Sequence, residues 1–164
     1  MTYRSFVLSG IALLALGACA SPAVQTDSAL RVRLDSLVAG HPGWHLGTTA
    51  DSKNQYLTQM QRDEPGYEPY RASGDFDRDG INDVAVVLVR GDSGVIVWLR
   101  GVSSGYASPL PIDSLSWASN GGLFTNHDTL GFGVFYSDVF RSWAWDSAAR
   151  ALRPASHPPG SLEP

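Results

Sequence analysis

The sequence predicts an α+β domain in which an N-terminal amphipathic helix packs on one mainly antiparallel sheet, a meander of about five to seven strands. Three observations predict it. A segment near the N-terminus carries helical apolar spacing, a wholly apolar run at Val84–Val89 reads as a central strand, and the rest of the chain breaks into short apolar runs separated by turn residues. Strands that follow one another so closely pair with their sequence neighbours, which favours a meander over parallel crossovers.

Each element has a local cause. Asp27 or Ser28 can cap a helix in which Leu30, Leu34, Leu37 and Val38 share a face, with Arg31, Arg33 and Asp35 largely elsewhere. Gly40 and Pro42 end it. Residues 50–70, "ADSKNQYLTQMQRDEPGYEPY", are polar and marked by proline, and read as a long surface connection with at most one helical turn at Gln55–Gln61. Val84–Val89 is apolar at every position, so both of its faces must be covered, one of them by the helix. "RGDSG" then turns the chain into a partner strand, Val95–Leu99. Further strands fall at Leu110–Trp117, Leu123–Thr125, Leu130–Tyr136, Val139–Trp145 and Ala151–Arg153, with Asp146–Arg150 turning the last pair. The proline-rich tail, residues 154–164, is unsuited to a sheet, which leaves 28–153 as a single globular domain.

Residues 1–18 place Arg4 ahead of an apolar run, Phe6–Leu16, that falls short of the roughly 20 residues a membrane span needs; it reads as an export signal. The segment ends in Leu16-Gly17-Ala18-Cys19, which resembles the lipobox of bacterial lipoproteins. That resemblance implies cleavage before Cys19, lipid on its thiol, a tether over residues 19–27, and several acyl chains as the membrane anchor. Cys19 is the sole cysteine, so no intramolecular disulfide can form. Ala20 after the cysteine implies, by the same resemblance, the outer membrane facing the periplasm. Loss of residues 1–18 removes one base and no acid, moving the net charge from −4 to −5. Such a chain has no basic stripe, which excludes a nucleic-acid partner.

The densest chemistry lies in "GDFDRDGIND", residues 74–83. Counting Asp75 as the first position, carboxylates fall at positions 1, 3, 5 and 9, Asp75, Asp77, Asp79 and Asp83, with Gly80 at position 6. Calcium takes about 6–8 oxygen ligands, and an alternating acidic loop turned sharply at a glycine converges on one point. The Ile81 carbonyl stands at position 7, where such loops supply a backbone ligand, while Arg78 and Asn82 should point outward. Position 12 is Val86, where an EF-hand needs a bidentate Glu, and a strand follows rather than a helix. The loop and its strand resemble the calcium loop of integrin-type FG-GAP and VCBS repeats. The resemblance implies calcium held by the side chains of Asp75, Asp77, Asp79 and Asp83 and by the backbone carbonyl of Ile81. It spans only Arg71–Leu99 and occurs once, so it implies a calcium loop ahead of a hairpin and not a propeller.

Other motifs carry less. Gly91-Asp92-Ser93-Gly94 resembles the segment around the nucleophile of chymotrypsin-like proteases, but no histidine has the matching context and the four residues form a good turn. His41 and His45 have i, i+4 spacing, yet Pro42 and Gly43 prevent the helix that would align them on a zinc ion. His127 and His157 have no evident partners. Trp143 and Trp145 alternate along one strand; they are read as core or, alternatively, as an exposed binding surface for a sugar or a protein.

These features favour a non-enzymatic, calcium-stabilised envelope lipoprotein that serves as a protein- or glycan-binding accessory module. The alternative is a periplasmic hydrolase whose active site assembles from distant residues, such as His127 with free acids.

Overall fold

The computed structural model describes residues 22–155, with side chains described from Ser28 onward. The export signal, Cys19 and the tail beyond Ala155 lie outside the described residues. No helix among those residues is long and apolar enough to cross a membrane.

Helix α1 spans Pro22–Ala39, so it starts ahead of the expected cap at Asp27 or Ser28. His41 Nδ1 donates to the Leu37 carbonyl at 2.7 Å and occupies one of the acceptors that a helix C-terminus leaves over. Strand β1, His45–Leu46, follows, and the connection after it holds a short 3-10 turn at Thr49–Asp51 and helix α2, Leu57–Asp63. This helix is longer than the single turn expected there. It enters at buried Leu57, half-buries Met60 and is otherwise polar.

The first sheet has five strands: β1; β2, Arg71–Gly74; β3, Asp83–Arg90; β4, Ser93–Leu99; and β7, Leu110–Leu115. Every pairing is antiparallel. β3 and β4 are joined by a two-residue turn in which Gly91 takes φ 64°, as the first central position of a primed hairpin turn requires. β1 and β2 share the other edge of β3 end to end, and Val87 bridges them: its carbonyl accepts Gly47 N at 2.8 Å and its amide donates to Tyr70 O at 3.0 Å. A small hairpin, β5 (Gly101–Val102) with β6 (Gly105–Tyr106), lies against α1, tied by Arg33 Nε donating to Tyr106 O at 3.0 Å.

The expectation of a single sheet is corrected here. A 3-10 turn at Ala118–Asn120 breaks the meander, and β8 (Gly121–Asn126), β9 (Thr129–Val134), β10 (Phe140–Asp146) and β11 (Ala151–Pro154) form a separate four-stranded antiparallel sheet. The break has a physical cause. β7 carries Pro111 opposite Val97, beside a register shift, and a strand with a missing N–H at a bulge belongs at an edge. The next strands therefore turn back and cover a face instead of extending the row.

The result is three layers, helix, sheet and sheet, with β3 in the middle. Ala85, Val87 and Val89 point with Ile96 and Trp98 of β4 toward the second sheet, meeting Leu123, Leu130, Phe132 and Trp143. Val84, Val86 and Leu88 point with Val97 and Leu99 toward Leu30 and Leu37 of α1. Alternation along one strand thus feeds two cores, which is why every position from 84 to 89 is apolar. Each fully buried Val or Leu is worth about 1.5–3 kcal/mol, so this strand holds much of the driving force for folding. Arg141 Nη1 on β10 pairs with Asp113 Oδ2 on β7 at 3.2 Å, linking the rims of the two sheets.

Candidate metal centre

The acidic loop spans residues 75–82 between β2 and β3, closed below by the Gly74–Asp83 pair of the ladder. Phe76 anchors it, fully buried in the inter-sheet core with its ring against Gly74. Two residues bend the chain through the left-handed region, Gly80 at φ 85° and Arg78 at φ 62°. Loop amides then converge on the carboxylates. Asp75 accepts Asp79 N at 3.0 Å and Gly80 N at 2.9 Å, and Asp79 Oδ1 accepts Ile81 N at 2.9 Å. The loop is therefore shaped by its own acids.

Asp75, Asp77 and Asp83 bring one carboxylate oxygen each to within 4.8 Å of one another, a cluster that could hold a metal ion. Its donors are all carboxylate oxygens, which suit a hard divalent cation. Asp77 and Asp83 are buried, so their charge is poorly served by solvent. Asp83 is the most constrained. Its Oδ2 accepts Phe76 N at 3.0 Å and its Oδ1 accepts Gly101 N at 2.7 Å. Burial nevertheless pushes its carboxyl up to about 6; the two backbone amides oppose that rise, and Asp77 adds to it. The Trp98 indole N–H exerts a weaker lowering influence from outside hydrogen-bonding geometry.

Of the five residues expected to ligate, the structure brings these three together. Asp79 is not in this group of three: its Oδ2 lies 2.9 Å from Arg100 Nη2, and the same guanidinium pairs through Nε with Asp77. Burial acts to lower the Arg100 guanidinium, and the two carboxylates outweigh it and hold the group above its ordinary value. Arg78 points outward as expected and pairs with Asp128 in the β8–β9 turn. Asn82 is exposed.

Arg100 and Gly101 are parts of the site that sequence reasoning missed. A Cβ on Gly101 would lie 2.4 Å from Asn82 O and 2.7 Å from Ile81 Cγ2, so the loop and β5 approach too closely for any side chain. The signal was present in the hairpin register. Val84 pairs with Leu99, so the next residue outward on each strand sets Asp83 opposite Arg100.

The remaining sequence candidates fall apart. His45 Nε2 bonds Asp51 Oδ1 at 2.8 Å while His41 caps α1, so the two histidines serve separate partners. Asp92 of the Gly-Asp-Ser-Gly turn accepts Lys53 Nζ at 2.6 Å and Ser119 Oγ at 2.8 Å, fastening the turn to the break between sheets. His127 opens the β8–β9 turn at φ 54° and is exposed. Trp143 and Trp145 do not form a binding surface: Trp143 is 1% exposed, and Trp145 packs on the same core, edge to face with Trp98 at 5.8 Å. The strand places their shared face against the first sheet, where large rings fill the space between layers.

Comparisons with protein-family models, with curated proteins and with solved structures found no match.

Proposed function

We propose that the chain is a calcium-stabilised, lipid-anchored envelope module that binds a protein or glycan and carries out no catalysis of its own. One observation carries the calcium part: three carboxylates converge within 4.8 Å at the root of the strand shared by both cores, and two of them are buried. Buried carboxylates that close together repel one another, and a cation held among them would remove that cost. Asp75, Asp77 and Asp83 are the side chains that would hold it, joined by the Asp79 carboxylate and the Ile81 carbonyl according to the FG-GAP-like spacing. Calcium is preferred to magnesium because the donors are carboxylates of an irregular loop and a buried strand end rather than an octahedral cage, and exported proteins meet millimolar calcium. The lipid anchor rests on Leu16-Gly17-Ala18-Cys19, and the outer-membrane location on Ala20.

A thermal melt tests the calcium reading. Calcium at about 1–5 mM is expected to raise the melting temperature, chelator to reverse the rise, and Asp75→Ala to abolish most of it. A melting curve indifferent to calcium would refute it.

A further inference from the structure

We propose that the cleft between α2 and the outer face of the second sheet binds a neutral oligosaccharide. The inference deepens the binding-module reading above and rests on it for the expectation of a partner.

The floor of the cleft is unusual. The outward positions of β8 and β9 include Gly122, Gly131 and Gly133, so aromatic rings from neighbouring strands lie directly on the backbone. A Cβ on Gly131 would sit 2.2 Å from Phe124 Cζ, and one on Gly133 would sit 3.0 Å from Phe140 Cβ. Glycine within a strand marks such close approaches.

The rings above this floor remain open. Phe124, Tyr56 and Tyr136 are 37%, 45% and 59% exposed, although large apolar side chains elsewhere in the domain are mostly buried. Tyr136 is presented at φ 54°, a backbone conformation unfavourable for a bulky side chain, and packs edge to face with Tyr56 at 5.2 Å. Strain that exposes an aromatic ring is the kind of local cost found at ligand sites.

Tyr136 divides two recesses. On one side lies a cavity of about 380 Å³ walled by Phe124, Phe135 and Phe140, with Asn126 and Ser137 at its rim. On the other is a polar recess of about 570 Å³ that includes Tyr56, Gln59, Arg62 and Asp63. Its polar groups are already ordered: Asp63 accepts the Tyr136 hydroxyl and the Gln59 amide, each at 2.7 Å, and Gln59 Oε1 accepts Arg62 Nη2 at 2.6 Å. Both volumes fall in the range of about 300–1,000 Å³ typical of small-ligand sites.

Aromatic plates beside a fixed carboxylate, amide and guanidinium match the two sides of a pyranose, an apolar C–H face and a hydroxyl edge. A protein partner would call for a broader, continuous apolar patch than rings interrupted by polar groups supply. Asp63 and Arg62 balance each other on the rim, and the chain is net −4, so an anionic polymer finds no attracting field. The occupant these features fit is a neutral sugar chain with one unit in each recess.

The test is calorimetric titration of the full chain with cellotetraose and with chitotetraose as probes, and with a proline-rich decapeptide as the competing class. At least one tetrasaccharide is expected to bind. Tyr136→Asn, which tolerates the left-handed backbone, and Tyr56→Ala, at an exposed position, are each expected to weaken it by about tenfold without lowering the melting temperature. Absence of sugar binding at about 10 mM, binding untouched by both substitutions, or capture of the peptide alone would overturn the proposal. A calcium response without sugar binding overturns this inference and leaves the calcium reading standing. Sugar binding without a calcium response supports the inference and removes the calcium reading alone.

Discussion

The Asp83 carboxylate accepts the Gly101 amide at 2.7 Å, tying the first residue of β3 to the residue that opens β5. Because Gly101 has no room for a Cβ against Asn82 O, the tie depends on its being glycine. Gly101→Ala is expected to force the loop off the strand end and to destabilise the domain by about 1–3 kcal/mol. Urea denaturation monitored by tryptophan fluorescence measures this directly. An unchanged midpoint would show that the loop yields without cost.

Arg100 supplies the positive charge nearest to Asp77 and Asp79. Arg100→Gln removes it and leaves the buried Asp77 without its counter-charge, so the calcium-free domain is expected to lose about 1–3 kcal/mol. Calcium should then recover more stability in the variant than in the parent chain, because the metal no longer competes with the guanidinium for the same carboxylates. The calcium-induced rise in melting temperature, compared between the two proteins, decides the matter; an equal or smaller rise in the variant contradicts it.

Asp83 gives the calcium response a pH dependence with a definite sign. Its folded value, about 6, lies above the roughly 3.9 of an unfolded aspartate. The group therefore adds stability to the calcium-free domain below about pH 4, and that contribution is lost as the pH rises through about 6. Calcium requires the ionised form. Its apparent affinity is expected to be level above about pH 6 and to fall by up to tenfold per pH unit below it. Titrations at several pH values read the break point. A profile flat down to pH 4.5 would place Asp83 outside the ligand set.

The legible parts of this fold were those whose signal is local. The helix face of Leu30 and Leu37 repeats every turn, the strand at 84–89 has no polar position, and the acidic loop carries its glycine and its carboxylates within ten residues. The illegible parts depend on where neighbouring strands meet. β1 and β2 are too short for a pattern of their own and exist because β3 offers an unpaired edge. The division into two sheets turns on a short 3-10 segment and on Pro111, neither of which marks a boundary until the β4 register is known. The same holds for the site. Its acids were readable from spacing, whereas Arg100 and Gly101 enter only through the pairing of β3 with β4. The tryptophan pair leaves two readings open, core or binding surface, since strand alternation says that two rings share a face but not whether that face meets solvent or another layer; the second sheet's packing on the first decides for the core.

The middle strand makes the layers interdependent. If α1 lifts away, Val84, Val86 and Leu88 are wetted on the very segment whose other side, Val87 and Val89, supports the second sheet. Melting of the helix therefore removes the cover from one face of the strand on which the second sheet rests, and a tug at Asp83, where β3 begins, acts on a strand that both layers share. A domain built this way reports events at one small loop as a change in the solidity of the whole.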